Sequence, residues 1–237
     1  MIASAVLLSL LMGGAAVVLG LAPGIASAWL LARVRFRGKL ILETVIMLPL
    51  VVPPVVTGYL LLVVLGSNSW LGLHLLAPLG VHVVFTRLGM ALAAAVMGFP
   101  LFVKTTRAAF ESVPPELEWA ARTLGYSAVR TFFQVTLPLS WRGMVAGAVL
   151  AFARALGEFG ATAMVSPGID GYRTISLEIF RSVQIPGQES QVVMLAGISI
   201  ALSLVALALS EPLARRYSPG GKAPSHLEFG GISEEGR

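Results

Sequence analysis

Apolar residues cluster into five long blocks, running from about Ala3 to Ala32, Leu40 to Leu65, Leu88 to Val103, Gly143 to Val165 and Val192 to Leu213. A helix rises about 1.5 Å per residue, so crossing a hydrocarbon core about 30 Å thick takes roughly 20 apolar residues. The pattern predicts an all-α membrane protein with five or six transmembrane helices, the third block being the least clean. Pro23, Pro49, Pro53, Pro54 and Pro100 fall in or near the blocks. Each removes a backbone donor, so kinks are expected there, with neighbouring helices meeting the freed groups.

The polar positions between blocks set an orientation. Arg33, Arg35, Arg37, Lys39, Lys104, Arg107, Arg122, Arg130, Arg142, Arg215, Arg216, Lys222 and Arg237 fall on one side, and only Arg87, Arg173 and Arg181 on the other. Cytoplasmic loops carry the excess of Lys and Arg, which predicts an N-terminus outside and a C-terminus inside. No positive residue precedes the first block and its run is too long for a signal peptide, so an uncleaved helix is expected although Ala26-Ser27-Ala28 resembles a cleavage site. The outer loops, around Gly66–Thr86 and Ser166–Gln191, read as turns. Residues 1–217 form the expected membrane domain, and residues 218–237 a polar, Gly-rich tail on the cytoplasmic side.

Composition narrows the function. Hydrophobic residues make up 56% and charged residues 12%, a balance that would leave a soluble fold with large apolar surface patches. With no cysteine and three scattered histidines (His74, His82, His226), neither a thiolate nucleophile nor a Cys- or His-based metal centre is expected. The basic residues flank apolar blocks and form no continuous stripe for nucleic acid. The phosphate-binding pattern GxxxxGK[ST] is absent, so any ATP must be bound by another polypeptide, and neither a catalytic residue nor a cofactor is assigned.

The stretch between the third and fourth blocks carries the functional signal. Pro114 and Pro115 suit a helix start, Glu116 and Glu118 sit in the first turn where the helix dipole favours acids, and Gly125 is a natural stop. Leu117, Ala120, Ala121 and Leu124 recur at helical spacing and predict a short amphipathic surface helix. Pattern alone leaves two uses open, resting on lipid headgroups or docking another protein.

Ala120-Ala121, three residues, Gly125, nine residues, then Val135-Thr136-Leu137-Pro138 resembles the cytoplasmic signature loop of binding-protein-dependent ABC importer permeases. Trp119 stands where that family usually places a glutamate, and Glu118 lies one position earlier. The run Leu48-Pro49 through Pro53-Pro54 to Thr57-Gly58, and the run Ala151 to Thr162 with Arg154, Gly157, Glu158 and Gly160, are similar to molybdate permease subunits, and sulfate permeases share much of the second. The resemblance runs from about Val6 to Arg215. It implies a type I importer permease fold in the inner membrane, with a coupling helix seated in a cleft of an ATPase subunit. It also implies a soluble extracytoplasmic oxyanion-binding protein docking on the outer loops. Five spans are few to enclose a path, so a homodimer with two ATPase copies is expected. The resemblance implies molybdate as the ion, with tungstate and sulfate or thiosulfate as the alternatives.

Two further sets of residues bear on the path. Pro49, Pro53, Pro54 and Thr57 either break the second block near a water-filled cavity or bend it around its neighbours. Arg154 and Glu158, four apart, lie on one helix face and form either a site for a passing dianion, a gate, or a packing lock. The lock is the simplest reading, because Glu158 offsets the attraction of Arg154 for an anion. Gly147, Ala151, Ala155 and Gly157 suit a close helix interface, within the chain or across a dimer. Glu43 reads as a solvated partner of the Arg33–Lys39 cluster. The alternatives of other classes are an ATP-independent secondary transporter or channel, disfavoured by the lack of inverted repeats and of a buried acidic series, and a membrane scaffold.

Overall fold

The computed structural model describes residues 2–215, so the expected tail at 218–237 lies outside the described residues. Ten α-helices follow in order, and no strand occurs among the described residues. They are α1 (Ile2–Arg33), α2 (Lys39–Val51), α3 (Pro54–Leu65), α4 (Arg87–Glu111), α5 (Pro115–Thr123), α6 (Ala128–Thr131), α7 (Leu137–Leu156), α8 (Gly160–Val165), α9 (Ile175–Val183) and α10 (Glu189–Arg215). Four stretches are long and apolar enough to cross a membrane: α1, α4, Ala128–Leu156 (α6 through α7) and Glu189–Leu209 of α10. The pair α2–α3 passes the same test only when its two halves are taken together, so the described residues hold four spans, or five if that pair is counted as one.

The second block is broken into two helices rather than forming one kinked helix. Its halves meet at 116°. Val52 and Pro53 each precede a proline, a position sterically driven out of the helical region, and both are extended with ψ of 137° and 134°. Pro49 is tolerated inside α2, whereas the adjacent prolines end it. The third span reaches beyond its apolar block to Glu111, carrying Lys104 and Arg107 on its last turns.

The fourth block, Gly143–Val165, is divided differently from its hydropathy. Its span starts at Ala128, and α7 stops at Leu156. Residues 157–159 interrupt the helix before the six-residue α8. Pro138 cannot donate to the preceding turn; the chain accommodates it with a π turn over Phe132–Thr136, where the Leu137 N–H reaches back to the Phe132 carbonyl. The expected turn-rich loop after Ser166 contains the amphipathic α9.

α4 is the centre of the bundle, with 61% of its apolar window buried against 11% for α10. Small residues bring the helices close. A Cβ on Gly98 would lie 2.9 Å from the Ala151 carbonyl oxygen, and one on Gly24 would lie 2.4 Å from the Phe102 ring. Gly147 packs on Phe102 and Thr105, and Ala155 joins Ala16 and Ala94, so both contacts fall within the chain. Gly157, by contrast, is exposed at the end of α7. With lipid outside, such backbone proximity supplies the van der Waals contact that holds spans together. The outer side of α10 exposes Val193, Ile200, Leu204 and Leu207, a face suited to acyl chains.

Candidate functional site

At one end of the bundle, α5 lies outside the spans as an amphipathic helix of about two and a half turns. Pro115 at its first position and Glu116 and Glu118 in its first turn start it as the sequence leads one to expect. Its end is a Schellman closure: the Gly125 N–H donates to the Arg122 carbonyl at 3.0 Å and the Tyr126 N–H to the Ala121 carbonyl at 3.1 Å. Gly125 supplies the left-handed φ of +87° that this closure needs, and a Cβ there would touch nothing within 4 Å. Its role is conformational, not one of close packing.

Glu118 fastens the helix down. Its Oε1 accepts from Arg33 Nε at 3.1 Å, Arg33 Nη2 at 3.0 Å and Thr136 Oγ1 at 2.7 Å. The same Arg33 Nη2 donates to the Val113 carbonyl at 2.9 Å. One carboxylate thus ties α5 to the last residue of α1 and to the π turn that feeds α7. Beneath the tie, Phe132 packs edge-on against Trp29 and Phe110 with centroids 6.0 and 5.9 Å away. Ala121 turns inward, while Glu116, Leu117, Trp119, Ala120 and Leu124 face out, Trp119 at 64% and Leu124 at 79% exposure. The small face predicted over 117–124 is therefore split, with only Ala121 spent on the bundle. Leu137 is half-buried and Pro138 exposed at the start of α7.

Sequence spacing gave no sign that Arg33 reaches Glu118, 85 positions away. Glu43 also differs from expectation: it pairs with Arg107 at 2.7 Å, which in turn holds Glu111 at 2.7 Å, so it links α2 to α4 rather than to the Arg33–Lys39 turn. A helix register fixes which basic residue a carboxylate meets, and that register needs the three-dimensional crossing of α2 over α4.

The candidate path residues gather where the two broken spans meet. Pro54 and Thr57 stand on the first turn of α3, and a Cβ on Gly160 would lie 2.9 Å from the Pro54 Cβ. A Cβ on Gly58 would lie 2.7 Å from the Ala161 backbone. α3 and α8 therefore cross in backbone contact. Pro49 lies apart, within α2. At the α7–α8 break, Arg154 Nη1 donates to Glu158 Oε2 at 2.7 Å, and the Ala161 N–H donates to Glu158 Oε1 at 2.7 Å. Glu158 is both ion-pair partner and cap for α8, with its side chain 1% exposed; that of Arg154 is 27% exposed. Among the described residues no cluster of His, Asp and Glu is placed to hold a metal.

At the other end of the bundle a second charged group orders α9. Glu178, 3% exposed, lies 3.6 Å from Arg173 and 3.8 Å from Arg181. The Ile175 N–H donates to Ser9 Oγ at 2.8 Å, anchoring α9 on α1.

Comparison with known proteins fits this architecture. Residues 16–219 match the family model described as binding-protein-dependent transport system inner membrane component. The chain is 50% identical to the molybdenum transport system permease ModB of Escherichia coli K12, over 89% of this chain and 93% of the relative. It is 47% identical to ModB of Haemophilus influenzae over 90% and 93%, and 38% identical to the sulfate permease CysW of Synechococcus elongatus over 90% and 76%. In backbone it is similar to the inward-facing MetNI methionine ABC transporter (TM-score 0.70, 14% identity, 92% of this chain and 96% of that one). An amino acid ABC transporter follows at TM-score 0.61 and 19% identity, over 91% and 93%. The fold is that of type I ABC importer permeases, and the chain belongs to the family of binding-protein-dependent transport system inner membrane components.

Proposed function

We propose that this chain is the membrane subunit of an ATP-driven importer that carries molybdate inward across the inner membrane, working as a homodimer with two ATPase subunits. The observation that carries the coupling role is α5, a surface helix whose inner side is fixed by Glu118 and whose outer side presents Trp119, Ala120 and Leu124 unpartnered. A helix resting on lipid needs no such tie to two spans, whereas one that passes on displacement does. The chain has no nucleotide-binding pattern of its own, so the motor is a separate polypeptide docking on this face. The excess of basic residues near α5 supports a cytoplasmic position for that end and an outer position for the α9 end, where an extracytoplasmic oxyanion-binding protein docks.

The cycle we infer is alternating access. Closure of the ATPase dimer moves both copies of α5; each pulls on α1 through Arg33 and on α7 through Thr136, and the cavity opens outward to receive the ion. Hydrolysis resets it. Molybdate is favoured over sulfate because the full-length molybdenum relatives share more identity with the chain than CysW does. Membership of a binding-protein-dependent family speaks against an ATP-independent carrier.

The test is reconstitution of the permease with its co-purifying ATPase and binding protein in proteoliposomes. Molybdate uptake is expected to require ATP and to resist competition by excess sulfate. Uptake of sulfate in preference would transfer the reading to a sulfate permease, and a preparation without a nucleotide-hydrolysing subunit would overturn it.

A further inference from the structure

Arg154 stands inside the membrane domain. Its neighbour Ala155 packs with Ala16 and Ala94, and Ala94 lies seven residues along α4 from Arg87, about 10 Å in from that end. The pair it forms with Glu158 is neutral in sum but not symmetric. Both carboxylate oxygens are engaged, Oε2 by Arg154 and Oε1 by the Ala161 N–H, and the side chain is 1% exposed. The guanidinium uses only Nη1 in this pair, and the side chain is 27% exposed. An approaching ion therefore meets the cation first, with the carboxylate screened behind it. Coulomb attraction falls with distance, so the nearer charge decides the sign of the field at the surface.

The position of the pair also suits a path. Arg154 is two residues from Phe152, which packs on Gly13 of α1, so it projects from the opposite flank of α7. The break it borders brings α8 against the first turn of α3, which begins the second half of the other broken span. Interrupted backbone at membrane depth is tolerated where it is enclosed by protein or lines a cavity. The planar fork of arginine donates in parallel to two oxygens of a tetrahedral oxyanion.

We propose that Arg154 is a transit site for the translocated oxyanion, with Glu158 as the residue that positions it. This rests on the reading of the chain as an oxyanion permease. Glu158 holds the guanidinium at the break and keeps binding weak enough for release.

The experiment uses the complete transporter in proteoliposomes, measuring molybdate uptake and ATP hydrolysis side by side. In Arg154→Gln/Glu158→Gln the pair becomes two amides that keep a hydrogen bond and the cap to Ala161, so a packing lock predicts uptake within about twofold of wild type. A transit site predicts that uptake falls about tenfold or more while ATP hydrolysis stays within about twofold. Glu158→Gln alone leaves the guanidinium and the cap but removes the charge that positions Arg154 and weakens its hold on the ion, so uptake is expected to fall about threefold, less than in the double variant. Wild-type-like uptake by the double variant overturns the assignment, as does a loss of uptake by Glu158→Gln equal to that of the double variant; if the double variant does not assemble, a loss of about tenfold or more in an assembled Glu158→Gln complex overturns it. If the wild-type complex carries neither molybdate nor sulfate, the oxyanion reading itself falls, an outcome separate from either variant result.

Discussion

Glu118 Oε1 gathers three donors from two side chains, and at 17% exposure for each partner the Arg33 pair is shielded enough to matter yet not dry. Removing one partner of such a pair leaves the other unsatisfied, which costs more than the bond itself contributes. Glu118→Ala is expected to loosen α5 by about 1–2 kcal/mol, discounted for solvent screening. Trypsin is the probe: cleavage after Arg122 should accelerate in Glu118→Ala, while cleavage after the exposed Arg35 and Arg37 stays unchanged. Equal rates at Arg122 in variant and parent would remove Glu118 from its anchoring role. Gly125 gives a second prediction at this scale. Because its φ is +87° with open space around the missing Cβ, Gly125→Val pays backbone strain of about 1–2 kcal/mol and Gly125→Asn, which tolerates that conformation, pays less. ATP-dependent uptake should follow the order Gly, Asn, Val at equal membrane levels. If Asn and Val behave alike, the left-handed closure is not what Gly125 contributes.

The elements show what a linear pattern can carry. Runs of apolar residues located every span, since partition into hydrocarbon depends on local composition alone. The consecutive prolines left a break or a bend open in the sequence, and their local steric effect on Val52 and Pro53 makes it a break. The break at 157–159 was not, because Gly157, Phe159 and Gly160 continue an apolar block and only the hydrogen bond from Ala161 to Glu158 reveals a cap. α9 was hidden for the converse reason: Glu178 is matched by Arg173 and Arg181 by Asp170, both on the preceding loop, so a polar segment folds against the bundle. The candidate path residues Thr57, Arg154 and Glu158 were legible as types, but their meeting depends on α3 crossing α8. That crossing makes its own prediction. Gly58→Val sets a Cβ 2.7 Å from Ala161 backbone, which cannot yield as a side chain does, and should destabilise the protein in detergent by about 1–3 kcal/mol. Gly14→Val, where nothing lies within 4 Å, is the control and should leave the thermal aggregation temperature unchanged.

At the scale of the whole molecule, α1 serves as a ruler. Ser9 binds the backbone of Ile175 near one end and Arg33 binds Glu118 at the other. Twenty-four residues separate them, about 36 Å along a helix and more than the hydrocarbon thickness of about 30 Å. The α9 cluster and α5 must then occupy opposite faces of the membrane, whichever way the protein is inserted. The excess of basic residues near α5 predicts the insertion in which that face is cytoplasmic. The absence of cysteine makes the choice directly measurable, since an introduced thiol is the sole target for a maleimide. Leu124→Cys and Ile169→Cys sit at exposed positions, 79% and 58%, on the two faces. A membrane-impermeant maleimide applied to intact cells or right-side-out vesicles should label Ile169→Cys, and should reach Leu124→Cys only after the membrane is opened. Labelling in the reverse order would put α5 on the side without ATP, and a helix there has no motor to meet.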